Sequence, residues 1–192
     1  MGALDRAELV QPATRREWRE WLEANHGTSP GAWLVTGRAG SDLPRLGYEE
    51  SVEEALCFGW IDGQAGTIDE NRSRQYFAPR RPGSPWARTN KERVERLTTA
   101  GLMRPAGQAV IDRAKADGSW SMFDSVDRLE LPPALASALA SRPAARANWD
   151  AWPDGVKRQV LSSLVLTKRE ETRLRKIEQY ADAAARNERP AR

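Results

Sequence analysis

The chain of 192 residues contains a single cysteine, Cys57, and a single histidine, His26. An intrachain disulfide is therefore impossible, and metal sites built on several cysteines or histidines are excluded. No apolar run approaches the ~20 residues needed to span a bilayer, so membrane insertion is not expected. The opening Met1-Gly-Ala-Leu-Asp-Arg6 lacks the basic-then-apolar order of a secretory signal, which points to a cytoplasmic protein. Neither sign of charge dominates: 30 Lys+Arg against 27 Asp+Glu leave a net +3. That balance does not mark a dedicated nucleic-acid binder. Phosphate loops of the Gly-x-x-x-x-Gly-Lys type, Gly-x-Gly-x-x-Gly turns and Gly-x-Ser-x-Gly elbows are all missing, and no cofactor is expected.

Phe and Tyr are scarce, at three each, but Trp is not: the eight tryptophans outnumber both together. Trp combines a large apolar surface with an N–H that needs a partner, which suits both cores and pocket walls. With 40 % hydrophobic residues the chain can bury a sizeable core, as one domain or two small ones.

Capping boxes mark three helix starts: Thr14 with Glu17, Ser51 with Glu54, and Thr167 with Glu170. Trp18, Trp21 and Leu22 follow the first at helical spacing. Gly31-Ala-Trp-Leu-Val-Thr-Gly37 reads as a strand. Trp60 to Phe77 reads as a hairpin turning at Asp69-Glu-Asn-Arg72. Pro79-Arg-Arg-Pro-Gly-Ser-Pro85 cannot be regular structure and is the best boundary in the chain. Helical patterns then run from Asn90 to Ala100, Pro105 to Asp117, Leu131 to Ala140 and Val156 to Val165, and over a last helix bearing Leu174, Ile177 and Tyr180. The predicted fold is α+β: a small antiparallel sheet with helices in residues 1–82, and an all-α half in 83–192 that shares its core.

The candidate site lies between Glu54 and Asn90. Trp60, Gln75, Phe77, Arg80, Arg81, Trp86 and Asn90 would line an aromatic, arginine-bearing pocket for a small molecule or peptide. Trp60 and Asp62 are two apart, so a strand would turn both to one face. A desolvated Asp62 would either pair with Arg80 or Arg81 or have its pKa raised and become a usable acid or base, making the protein a cofactor-independent enzyme. The competing structural reading buries both tryptophans and uses Asp62 to cap a turn. A second alternative is nucleic-acid binding through the basic stretch from Arg72 to Arg93. That stretch carries no helix-turn-helix, zinc-finger or RNA-recognition signature and is more simply a solvated face. Cys57, between Leu56 and Phe58, has the setting of an inert buried thiol.

Several ordered motifs resemble one family. Glu54-Ala-Leu-Cys-Phe-Gly-Trp-Ile-Asp-Gly63, Phe77-x-Pro-Arg-Arg81, Ser84-x-Trp86 and Asn90 are similar to the bacterial YdeI/OmpD-associated, or bacteriocin-protection, proteins. So are Arg93-Val-Glu-Arg-Leu97, Gly101-x-Met-x-Pro-Ala-Gly107, Ala114-Lys-Ala-Asp-Gly-Ser-Trp120, and Glu171-Thr-Arg173 with Arg175 and Ile177. The resemblance implies a role in resistance to bacteriocins and cationic peptides or in stress, with no cofactor. Ala78 and Ala87 stand where the family usually carries hydroxyl residues, a change that would make a pocket beside them less polar.

Overall fold

A computed structural model describes residues 7–190. The stretch 1–6, read above for a targeting signal, and the last two residues of the charged tail lie outside the described residues. The elements run β1 (Glu8–Val10), α1 (Arg15–Asn25), β2 (Ala32–Gly37), α2 (Tyr48–Cys57), β3 (Trp60–Thr67), β4 (Arg72–Pro79), α3 (Arg88–Thr99) and α4 (Pro105–Ala116). They continue with α5 (Asp124–Asp127), α6 (Pro133–Ala140), α7 (Pro143–Ala151), α8 (Asp154–Val165) and α9 (Glu170–Ala185). The class is α+β, and among the described residues every strand precedes Pro82.

The sheet has the order β1-β2-β4-β3. β4 is antiparallel to both β2 and β3, as the hairpin pattern predicts. The sheet is nevertheless mixed rather than purely antiparallel, because β1 pairs with β2 in parallel. α1 carries the chain back between these two strands, so both run in one direction.

The chain forms two compact units, 1–120 and 121–192. The Pro-rich connector lies inside the first. The Arg80 N–H bonds to Gly59 O at 3.0 Å and the Trp86 N–H to Ser119 O at 3.3 Å, which ties the connector to the strand start and to the end of α4. The core of this unit gathers Trp18, Leu56, Trp60, Phe77, Trp86 and Ile111. The second unit has its own core around Leu135, Leu139, Trp149, Leu161 and Leu164.

Thr14 caps α1 as its motif predicts, its hydroxyl accepting from the Glu17 N–H at 3.2 Å. The other two boxes do not form. α2 begins a turn earlier, at Gly47, whose N–H donates to Glu50 Oε2 at 3.2 Å. Ser51 is then interior and its hydroxyl donates to Tyr48 O. Glu54 instead takes arginines from α1: Arg15 Nε at 2.5 Å and Arg19 Nη1 at 2.6 Å. Thr167 likewise turns its hydroxyl to Ser163 O rather than capping α9.

α2 is held on both sides. Trp18 donates its indole N–H to Ser51 O from α1, while Arg93 and Arg96 of α3 pair with Glu49, and Arg96 also with Glu53. α4 crosses its C-terminal end closely, at Gly107, where a Cβ would sit 2.3 Å from the Cys57 carbonyl oxygen. Cys57 itself is buried, and burial pushes its thiol pKa up.

The close crossing leads to a test. Gly107→Ala forces α4 away from α2 and costs roughly 1–3 kcal/mol of overpacking, seen as a melting temperature several degrees lower. Gly155→Ala in α8, where a Cβ meets nothing within 4 Å, leaves the melt unchanged or slightly raised.

Candidate functional site

The strand register decides where each candidate residue goes. Asp62 is opposite Phe77 and Trp60 opposite Pro79, so Trp60, Asp62 and Phe77 share one face of the sheet. The two aromatics on that face are fully buried in the core. Phe77 lies 5.4 Å from the Trp18 ring, and Trp60 meets Trp21 edge-on and donates its N–H to His26 O. Trp86 is buried between the Trp120 ring and the guanidinium of Arg80, which stacks on it at 3.8 Å.

Arg80 is 6 % exposed and its Nη2 donates to Pro85 O. Burial lowers its pKa to about 10, so it stays charged at neutral pH. Its Nε has no hydrogen-bond partner among the described residues. The space beside Arg80, Arg81 and Trp86 is only about 10 Å³, room for one water at most. Arg81 is exposed. Asn90 braces Arg93, accepting from its Nη1 at 2.7 Å.

Asp62 pairs with neither Arg80 nor Arg81. Its partner is Tyr48, in the first turn of α2, whose hydroxyl donates to Asp62 Oδ2 at 2.8 Å. Arg80 and Arg93 act on this pair only through space. The strand is irregular between Asp62 and Ala65, a bulge in which Gly63 and Gln64 intervene. Gln75 spans that bulge, donating its amide to Gly63 O at 2.9 Å and Gln64 O at 3.3 Å.

Tyr48 and Gln75 both line a cleft of about 380 Å³ at the open end of the sheet. Leu34 and Leu46 form its apolar floor, and Thr36, Ser73, Arg38 and Arg45 add polar groups. The cleft thus recruits Gln75 from the predicted set and reaches Asp62 through Tyr48. Arg38, Arg45 and Tyr48 were missed. The available signal was the Gly37-to-Gly47 loop, which bears two arginines and runs straight into a helix start. Among the described residues no three His, Cys, Asp or Glu side chains cluster as a metal site would require. No described helix is long and apolar enough to cross a membrane.

Comparison with known families follows the two units. Residues 10–110, more than half of the chain, match the model described as domain of unknown function DUF8412. The chain belongs to the DUF8412 family. Its matched region holds the whole sheet except the start of β1, together with α1 to α3 and the cleft. Residues 128–187 match the model described as bacteriocin-protection, YdeI or OmpD-associated. The resemblance seen in the sequence is thus shown over that part of the chain, which contains Glu171-Thr-Arg173, Arg175 and Ile177. Its motifs from Glu54 to Gly107 fall in the DUF8412 region. At family level the second match supports a bacterial bacteriocin-protection role. No curated protein and no solved structure matches the chain.

The Tyr48–Asp62 bond has a measurable signature. Burial first, and then the Asp62 carboxylate, push the phenol from its ordinary 10 up to about 12. The folded value lies above the unfolded one, so the bond stabilises fully below pH 10 and is lost as pH rises to about 12. Tyrosinate absorbance of the folded protein should show one of the three tyrosines titrating near pH 12. Tyr48→Phe removes that step, and Asp62→Asn moves it down.

Proposed function

We propose that the protein binds a small molecule or peptide in the Tyr48 cleft and serves a bacterial self-protection role against bacteriocins. The cleft itself carries this reading. At about 380 Å³ it falls in the size range of small-molecule sites, and it sets a few convergent polar groups around an apolar floor. Trp60 and Trp86 are packed into the core and do not line this cleft. The role comes from the family match of residues 128–187.

One observation favours a second reading, a cofactor-independent enzyme. Tyr48 faces the cleft and is bonded to Asp62, so Asp62 stands one hydrogen bond from a bound molecule and could act on it as general acid or base through the phenol. Nucleic-acid binding has less support, because the basic stretch is largely occupied. Arg72 pairs with Asp69, Arg88 with Glu92 and Arg93 with Glu49, and Arg80 is buried.

The test is protection of bacteria challenged with a bacteriocin. Ala65→Trp places a large ring in the cleft from an exposed strand position; it should leave the melting temperature within about a degree and abolish protection. A folded Ala65→Trp protein that protects in full overturns the reading. Asp62→Asn separates binder from enzyme. A binder keeps most of its protection, with one ligand held per chain and no product. An enzyme loses ~10²–10⁴-fold in turnover without a matching loss of stability.

A further inference from the structure

Most arginines of the first unit meet carboxylates: Arg15 and Arg19 on Glu54, Arg72 on Asp69, Arg93 and Arg96 on Glu49, Arg104 on Glu23. The cleft breaks this pattern. Arg45 makes no hydrogen bond or ion pair among the described residues, and Arg38 spends one N–H on the backbone carbonyl of Asp69 and none on a carboxylate. Arg74 does not add to them: its register turns the side chain to the opposite face of the sheet from Thr36, Ser73 and Gln75, where it stacks over Trp33 at 4.1 Å. Among the described residues no Asp or Glu lines the cleft. Of the hydroxyls that face it, those of Tyr48 and Ser51 are firmly bonded, but two are only loosely engaged: Thr36 reaches Leu46 O at 3.4 Å and Ser73 reaches Thr36 O at 3.5 Å. Both distances are at the limit of a useful bond, so both groups can turn to a ligand at little cost.

From this we infer that the ligand of the cleft is a small anion-bearing molecule, a carboxylate or phosphate compound, held by the guanidiniums of Arg38 and Arg45. The inference rests on the reading of this cleft as the binding site and adds the ligand's charge. Guanidinium pairs recognise carboxylate and phosphate oxygens through charge-assisted, often bidentate bonds. A cationic peptide meets like charge here and is rejected, so any protection against such peptides runs through an anionic small molecule rather than through capture of the peptide in the cleft.

The experiment is an amide-shift titration of the isotopically labelled full chain. The probes are inorganic phosphate and succinate, with sodium chloride at matched ionic strength and hexalysine as controls. Phosphate or succinate should give saturable shifts at Gly37, Tyr48, Ser73 and Gln75, and sodium chloride and hexalysine should not. Arg38→Gln combined with Arg45→Gln should weaken that binding at least about tenfold, while Arg81→Gln leaves it unchanged. Shifts that follow ionic strength alone, that map elsewhere, or that survive the double variant overturn the inference, as does saturable hexalysine binding at the cleft. The two claims fail separately. An uncharged compound whose cleft shifts are the same in the double variant removes the anion and leaves the site standing. Full protection by folded Ala65→Trp removes the site itself.

Discussion

The buried carboxylate of Glu54, gripped by Arg15 and Arg19, is the interaction on which the first unit's geometry depends. A carboxylate taken out of water is costly, and losing one partner of such a group typically costs about 3–5 kcal/mol. Two arginines one helical turn apart answer it from a single face of α1. That face also turns Trp18 and Leu22 into the core, so one clamp sets both the rotation of α1 and the seat of α2. Trp18 then closes the joint through Ser51 O. On its other side α2 is tied by Glu49 and Glu53 to α3. With α2 fixed at both flanks, its first residue, Tyr48, is held where its hydroxyl meets Asp62 on β3.

The division of labour among charged residues follows from this frame. Carboxylates on α2 neutralise the arginines that pack elements together, while Arg38 and Arg45 in the loop feeding α2 pair with no carboxylate among the described residues, Asp42 of the same loop included. Structural arginines are thus silenced, and the ones at the cleft keep their capacity for a ligand. The boundary between the two family regions falls between the units rather than at the Pro-rich connector. The cleft belongs to the DUF8412 region, and the bacteriocin-protection match to the helical unit.

Much of the fold was legible where local chemistry is decisive. The Thr14–Glu17 box with apolar residues at helical spacing marks α1, and the turn residues from Asp69 to Arg72 mark the β3–β4 hairpin. Other features depend on distant partners. Glu54 looks like a capping residue until Arg15 and Arg19 are placed beside it, and three residues of β1 are too few for any periodicity. α7 escaped because only Ala145 and Trp149 anchor it. The site was half legible. A tryptophan serves a core and a pocket wall equally well by type, and only burial assigned Trp60 and Trp86 to the core. Gln75 and Asp62 were found because they sit on the hairpin. Arg38 and Arg45 lie in a loop whose fold over the sheet is a tertiary event that no local pattern records.

Amide hydrogen exchange of Glu54→Gln tests most directly whether the clamp sets the cleft. The variant keeps the shape of the side chain, and Arg15 and Arg19, both partly exposed, can turn to water. If the clamp sets the cleft, exchange is faster in α1 and, together with it, in residues 36–51 and around Asp62, with 121–192 unchanged. Loss of protection confined to α1, with the cleft loop and the Tyr48–Asp62 bond intact, would contradict it.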